Sequence, residues 1–349
     1  MPGESPCMHA LKSPMTLIER ARALVGLADP APKWPPEKLS LALQGGGSFG
    51  AFTWGVLDRL LEEPDIAFDA ISGASAGAVN ATLLAAGMID GGREEARARL
   101  GQFWRRISRS AAILPSAASS PIGTAFDLVL RSLSPYQFNP LNFNPLREAL
   151  LESIDFERLR DRSPIKLLLA ATRVTDGRLR ILTNPELTVE AVLASACLPL
   201  LHQSIVIDGE AYWDGGYAAN PPLIPLVRAS KSDHLLIVQV TPMKTNRLPV
   251  TAPDITKRIE QIQFNATLNS ELEALKLGKL IGASAKLRRL RIGRISVDEE
   301  VEGLAQESAG NLGSEFLERL RASGHVAADL WLKKDIPQGA SRQSQEQAL

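Results

Sequence analysis

Three short stretches of this chain combine residue types that can do chemistry. In Gly73-Ala74-Ser75-Ala76-Gly77 a serine stands between glycines, after the apolar run AFDAIS and before the apolar run AGAVNATLLAAG. This matches G-x-S-x-G with a strand before it and a helix after it, the context in which the serine sits on a sharp, strained turn. Gly73 and Gly77 let the backbones approach, Ser75 Oγ is lifted above the sheet, and the next helix points its N-terminus at it. The chemistry is nucleophilic attack by a hydroxyl.

Upstream, LALQGGGSFGAF places Gly45, Gly46, Gly47 and Gly50 at a strand-to-helix junction. Consecutive glycines let backbone N–H groups converge on an anion beside a helix N-terminus. Three uses compete: a dinucleotide fingerprint, an oxyanion hole, or a turn with no ligand. The fingerprint also requires an acidic residue at the end of the second strand. Asp69 lies before the apolar AIS rather than after it, so that use fits poorly.

A serine hydroxyl needs a base within hydrogen-bonding reach. Of the four histidines, His9 lies in the N-terminal preamble, His234 opens an apolar strand, and His325 lies within a terminal helix. The last two read as structural. His202, between a helix end and a strand, fits a cleft wall or a base. Asp214, in AYWDGGYAANPP, is followed by Gly215 and Gly216 and fits either a base or an ordinary Asp-Gly turn. Local chemistry leaves Asp214 and His202 both open.

The elements that must position these groups alternate along the chain. LSLAL, AFDAIS, PIKLLLAATRV and DHLLIVQVTP are apolar strands, GRLRIL is a partner strand, and QSIVIDG with EAYWDGG forms a hairpin. Between them lie helices over AFTWGVLDRLLEE, AGAVNATLLAAG and TVEAVLASACL, and a helical, Ser/Pro-broken region over 93–160. A long amphipathic helix near 253–281, a strand near 287–295 and a helix near 310–333 follow. Apolar strands interleaved with helices predict an α/β fold of three layers, α/β/α, on a mainly parallel central sheet. The expected organisation is an N-terminal extension with a Pro-rich linker (1–37), one domain (38–334) and a disordered tail (335–349).

The 349 residues are 45% hydrophobic, and 39 basic side chains balance 39 acidic ones, which argues against a general nucleic-acid binder. Only Cys7 and Cys197 are present, so no disulfide framework is expected and a reducing compartment is the default. No apolar run reaches the roughly 18 residues of a spanning helix. The start lacks a signal-peptide pattern, and the expected setting is cytoplasmic. No metal or other cofactor is expected.

GGGSFG, GASAG and DGG, in that order, resemble the three signatures of patatin-like phospholipases, over roughly residues 38–240, with LASACLP and NPP in similar surroundings. The resemblance implies a patatin-like fold that works with a Ser–Asp dyad and no catalytic histidine. Carried over by position, Ser75 is the nucleophile and Asp214 its general base. Gly46 and Gly47, helped by Gly45 and the Ala76 N–H, form the oxyanion hole. Gly50, Gly73, Gly77, Gly215 and Gly216 support the turns. One position departs: the family commonly carries Arg or Lys before the last glycine of the first signature, and this chain has Phe49. That weakens the case for phospholipid and strengthens the case for a neutral acyl ester.

The expected function is therefore a lipid acyl hydrolase of the phospholipase A or esterase type, with a lipid or acyl-ester substrate. The alternatives are an acyltransferase using the same dyad and a catalytically silent lipid-binding protein. A nucleotide-binding oxidoreductase is more distant. Peripheral membrane contact has two candidate stretches, KLRRLRIGRI (286–295) with five basic residues and the apolar IGTAFDLVLRSL (122–133). Each also has a plain reading, as a solvated edge strand and a core helix. Oligomeric state is not legible.

Overall fold

The computed structural model describes residues 34–113, 133–245, 247–297 and 308–334. The preamble helix, most of the linker, the apolar stretch 122–132, the tail, Cys7 and His9 lie outside the described residues. The elements are β1 (Lys38–Leu43), α1 (Gly50–Leu61), β2 (Ala67–Gly73), α2 (Ala76–Ile113, broken at Gly91 and Gly92), α3 (Pro145–Ser153), α4 (Phe156–Arg162), β3 (Lys166–Arg173) and β4 (Leu179–Thr183). They continue with α5 (Val189–Ser195), β5 (Ile205–Ile207), β6 (Glu210–Asp214), α6 (Leu223–Ala229), β7 (His234–Gln239), α7 (Ala252–Leu280), α8 (Ala285–Arg289), β8 (Arg291–Ser296) and α9 (Ser314–Lys334).

The strands form one eight-stranded sheet in the order β5-β6-β3-β2-β1-β7-β8, with β4 also paired to β3. From β3 to β8 neighbouring strands run parallel, while β4, β5 and β6 join antiparallel. The sheet is thus mixed, with the parallel part carrying the glycine turn and the serine turn. The three-layer expectation follows from strand periodicity. In β1, Leu39, Leu41 and Leu43 face a core shared with α1, α2 and α9, whereas Ala42 faces a second core with α6 and α7. β7 splits likewise, Leu236 and Val238 against Leu235 and Ile237. Both faces are covered, so the strands read as continuous apolar runs rather than alternating ones.

One expectation shifts at a boundary. The strand expected near 287–295 begins only at Arg291, because Ser284 caps a short helix ahead of it by accepting from the Leu287 amide. Its basic residues are engaged within the chain: Lys286 Nζ donates to Ser230 O, Arg288 to Gly282 O (3.1 Å), and Arg289 pairs with Asp233 (3.0 Å). β8 borders β7 alone, at the sheet's edge. No helix among the described residues is long and apolar enough to cross a membrane.

An ion cluster locks the helices over the first core. Buried Asp58 of α1 accepts from Arg97 Nε of α2 (2.8 Å) and Arg321 NH1 of α9 (3.2 Å). Removing the acid leaves two partly buried arginines without their shared partner. Asp58→Ala should therefore lower stability by about 1–3 kcal/mol, read as a lower urea midpoint with an unchanged m-value.

Candidate active site

Sheet register brings the serine and the aspartate together. On β3, β2 pairs with Lys166–Leu169 and β6 pairs with Ala171–Arg173. β4 pairs with Leu168–Thr172 along the other edge. β2 and β6 therefore share one edge of β3 and meet end to end, with Gly73 opposite Leu169 and Asp214 opposite Ala171. β2 runs towards the junction and turns out at Ser75; β6 runs towards it from the other side and turns out at Asp214. Gly215 must be glycine here, since a Cβ would lie 2.1 Å from the Ala170 carbonyl oxygen on β3.

Ser75 occupies the left-handed region with φ 52°, a conformation that costs a non-glycine residue about 1–3 kcal/mol. α5 holds it there: the Ser75 N–H donates to both Ser195 O (3.0 Å) and Ser195 Oγ (3.1 Å). α2 begins at once. The Gly77 and Ala78 amides turn back to Ala74 O, and the Val79 amide to Ser75 O. The Ala76 N–H is left at the open helix N-terminus, where the chain offers no helical acceptor.

Asp214 is fully buried, and its backbone is held by Cys197 O accepting from its amide (2.8 Å) and by Thr172 Oγ1 donating to its carbonyl (2.7 Å). Its Oδ1 accepts from the Gly216 amide at 2.7 Å, while Oδ2 is buried with no hydrogen-bond partner. Burial pushes the carboxyl up to about 7; the Gly216 amide and then the nearby Ser75 hydroxyl act in the opposite direction. The hydroxyl thus lies near enough to favour the carboxylate, while Oδ2 has no formed hydrogen bond. Such contacts commonly tighten only when substrate is bound.

Neighbouring titratable groups are silent. Burial pushes the Cys197 thiol up to about 12, and the thiol faces Gln203 O at 3.1 Å. Burial also raises the Tyr217 hydroxyl to about 12, with the Asp214 carboxylate adding to the rise. For His202, burial is the sole influence, and it lowers the pKa. The Ser75 hydroxyl thus acts on the Asp214 carboxyl.

The glycine turn packs directly on the serine turn. A Cβ on Gly45 would lie 2.7 Å from both Ser75 Cβ and Ala74 O. Of the expected oxyanion donors, Gly45 is already engaged: its N–H donates to Asn220 Oδ1 (2.7 Å), and its carbonyl accepts from Thr241 Oγ1 (2.9 Å). The Ser48 and Phe49 amides go to Ala309 O and Gly46 O. Among the described residues, no such partner takes the amides of Gly46 and Gly47, which lie between them. Gly50 heads α1 with its space filled by Ala76 Cβ and Trp104, and Gly73 ends β2 against Gly77 and Ala78.

Sequence reasoning missed the clamp on this turn. Asn220, fully buried, holds Gly45 from both sides, its Nδ2 also reaching Gly45 O (3.3 Å) and Phe264 O (3.2 Å). Gln44 Oε1 accepts from the Val240 and Thr241 amides, and its Nε2 donates to Asn265 Oδ1. The signals were a glutamine closing an apolar strand and an asparagine following DGG. Phe49, where the resemblance leads one to expect a cation, is buried against Phe316 with ring centroids 6.3 Å apart, so it packs in the core.

Among the described residues, Asp58, Glu62 and His325 bring ligand atoms within 4.8 Å of one another. The position is filled by arginines: Arg97 bonds both acids, and His325 Nε2 lies 3.3 Å from Glu62. This is an ion-pair cluster rather than a metal centre. A cavity of about 290 Å³ bordered by Trp54, Trp104 and Leu317 shares no residue with the serine site.

The Asp214 shift has a stability consequence. Because its folded value of about 7 exceeds the ordinary 3.8, the folded chain keeps a proton that the unfolded chain has released. This contribution to stability is complete below about pH 4 and lost as pH rises through about 7. Asn cannot ionise, so Asp214→Asn should become more stable than the wild type as pH rises, by about 2–4 kcal/mol above pH 7. Denaturation of both proteins across that pH range checks this; a gap that does not widen with pH would contradict it.

A family model described as Patatin-like phospholipase matches residues 41–227, more than half of the chain. A search of curated proteins gives no match. Among solved structures, VipD from Legionella pneumophila is similar at 18% identity and TM-score 0.41, covering 85% of this chain and 67% of that one. The type III effector ExoU, known also in complex with SpcU from Pseudomonas aeruginosa, is similar at 17% identity and TM-score 0.36. That match covers 86% of this chain and 54% of ExoU, so the chain spans about half of ExoU's length. On the family match over residues 41–227, this chain belongs to the patatin-like phospholipases.

Proposed function

We propose that residues 38–334 act as one lipid acyl hydrolase domain, cleaving carboxylic esters through Ser75, Asp214 and an acyl-enzyme. The observation that carries this reading is the buried Asp214 carboxyl, with Oδ2 unpartnered, near the Ser75 hydroxyl. Leaving a buried carboxylate oxygen unpaired is costly, and a role as proton acceptor accounts for it.

In the first step the Ser75 Oγ–H proton moves to Asp214 Oδ2 as Oγ bonds to the ester carbonyl carbon. The carbonyl electrons shift to oxygen, and the amides of Gly46, Gly47 and Ala76 hold that charge. One such donor contributes about 2.7–4 kcal/mol in the transition state. Collapse expels the alcohol, which takes the proton from Asp214. Water then attacks the acyl carbonyl and gives its proton to Asp214; Ser75 recovers that proton as the fatty acid leaves. An ordinary aspartate near 3.9 is a weak base at neutral pH, whereas a carboxyl at about 7 is matched to the task. The steps call on no metal or other cofactor.

Hydrolysis of a soluble short-chain nitrophenyl ester tests this. Ser75→Ala and Asp214→Asn should each lower kcat/KM by about a thousandfold or more with the circular dichroism spectrum unchanged. Wild-type kcat/KM should rise with pH and level off, with a midpoint near 7 set by Asp214. Wild-type turnover by Ser75→Ala would sink the reading.

A further inference from the structure

The first half of α7 is amphipathic the wrong way round for a water-facing helix. Its buried residues here are polar: Gln261 and Asn265 are 7% and 5% exposed. Asn265 accepts from Gln44 and Gln239 and donates to Thr241 O and Pro242 O. Its exposed residues include three isoleucines: Ile255, Ile259 and Ile262 are 44%, 49% and 53% exposed. Spaced by four and three, they share one helix face. The loop leading into α7 adds Leu248 and Val250, at 79% and 68% exposed.

The opposite, inward side of the same helix borders the serine site. Phe264 on α7 meets Tyr217 with ring centroids 5.4 Å apart and closes over Gly216. Thr241, at the start of the same loop, bonds Gly45 in the glycine turn. The charge around the apolar face is positive. Residues 244–262 hold Lys244, Arg247, Lys257 and Arg258 against Asp254 and Glu260, in a chain that is neutral overall. Lys244 and Arg247 are exposed beside the apolar residues. Exposed isoleucines on a helix preceded by exposed Lys244 and Arg247 suit the boundary of an anionic bilayer, where apolar side chains enter the acyl region and cations meet phosphates.

We propose that the outer face of α7 and the loop before it dock the protein on an anionic lipid bilayer, bringing the helix that borders the Ser75 site to aggregated substrate. The proposal rests on the lipid-hydrolase reading for its purpose, but docking is measured separately from turnover. It also moves membrane contact away from the basic stretch 286–295, where Lys286, Arg288 and Arg289 are tied within the chain.

The test is co-sedimentation of the full chain with phosphatidylcholine vesicles, with and without about 30 mol% phosphatidylglycerol. The wild type and Ser75→Ala should bind the anionic vesicles equally, and binding should weaken as salt rises. The triple variant Ile255→Ser, Ile259→Ser, Ile262→Ser should lower the bound-to-free ratio by about tenfold or more. Lys244→Glu with Arg247→Glu should remove most of the preference for anionic over neutral vesicles. Both variants should turn over the soluble nitrophenyl ester within about twofold of the wild type. Unchanged vesicle binding in both variants would overturn the proposal. So would a wild-type dimer in sedimentation velocity that the triple variant converts to monomer, because a second copy would then cover the face. Vesicle binding without esterase activity would count against the hydrolase reading alone, and the reverse against docking alone.

Discussion

The site depends on two strands sharing one edge of a third. β2 and β6 approach each other along β3 from opposite directions, and neither can extend past the junction. Each chain must turn out of the sheet there, so Ser75 and Asp214 leave at neighbouring positions. The small residues follow from that crowding. Gly215 lies against the β3 backbone, and Gly45 brings the glycine turn against Ser75. A site built on strand ends is more rigid than one hung on loops.

The same arrangement carries local costs. Ser75 is held at positive φ by its N–H donating to Ser195 O and Oγ, and Asp214 is buried with one oxygen unpartnered. Strain and unmet polarity of this kind concentrate at functional sites, where the surrounding structure holds them in place. Here the support comes from the two cores on either face of the sheet and from the buried Gln44–Asn265 and Asn220–Gly45 bonds. Those polar bonds fix the glycine turn relative to α7, so the helix that borders the site also aligns it.

Much of this was legible from local sequence. The apolar strands, the two turns and the DGG motif are short-range patterns, and the structure places them on strand ends as expected. What was not legible is non-local. The pairing of β6 with the far part of β3 is what brings Asp214 to the end of β2, and no spacing in the sequence encodes it. Gly45 looked equivalent to Gly46 and Gly47 until Asn220, distant in sequence, was seen to occupy its amide. The helix over 252–280 was readable as amphipathic, but not which face it turns inward; buried Gln261 and Asn265 find partners only in the fold. The strand near 287–295 began late because a serine cap gave its first residues to a helix.

The most direct test of the account is the pH dependence of covalent labelling by a fluorophosphonate ester, with the modified peptide identified by mass spectrometry. The account predicts label on Ser75, at a rate that rises with pH through about 7 and falls by about a hundredfold or more in Asp214→Asn. Label on a different residue, or an undiminished rate in Asp214→Asn, would contradict it.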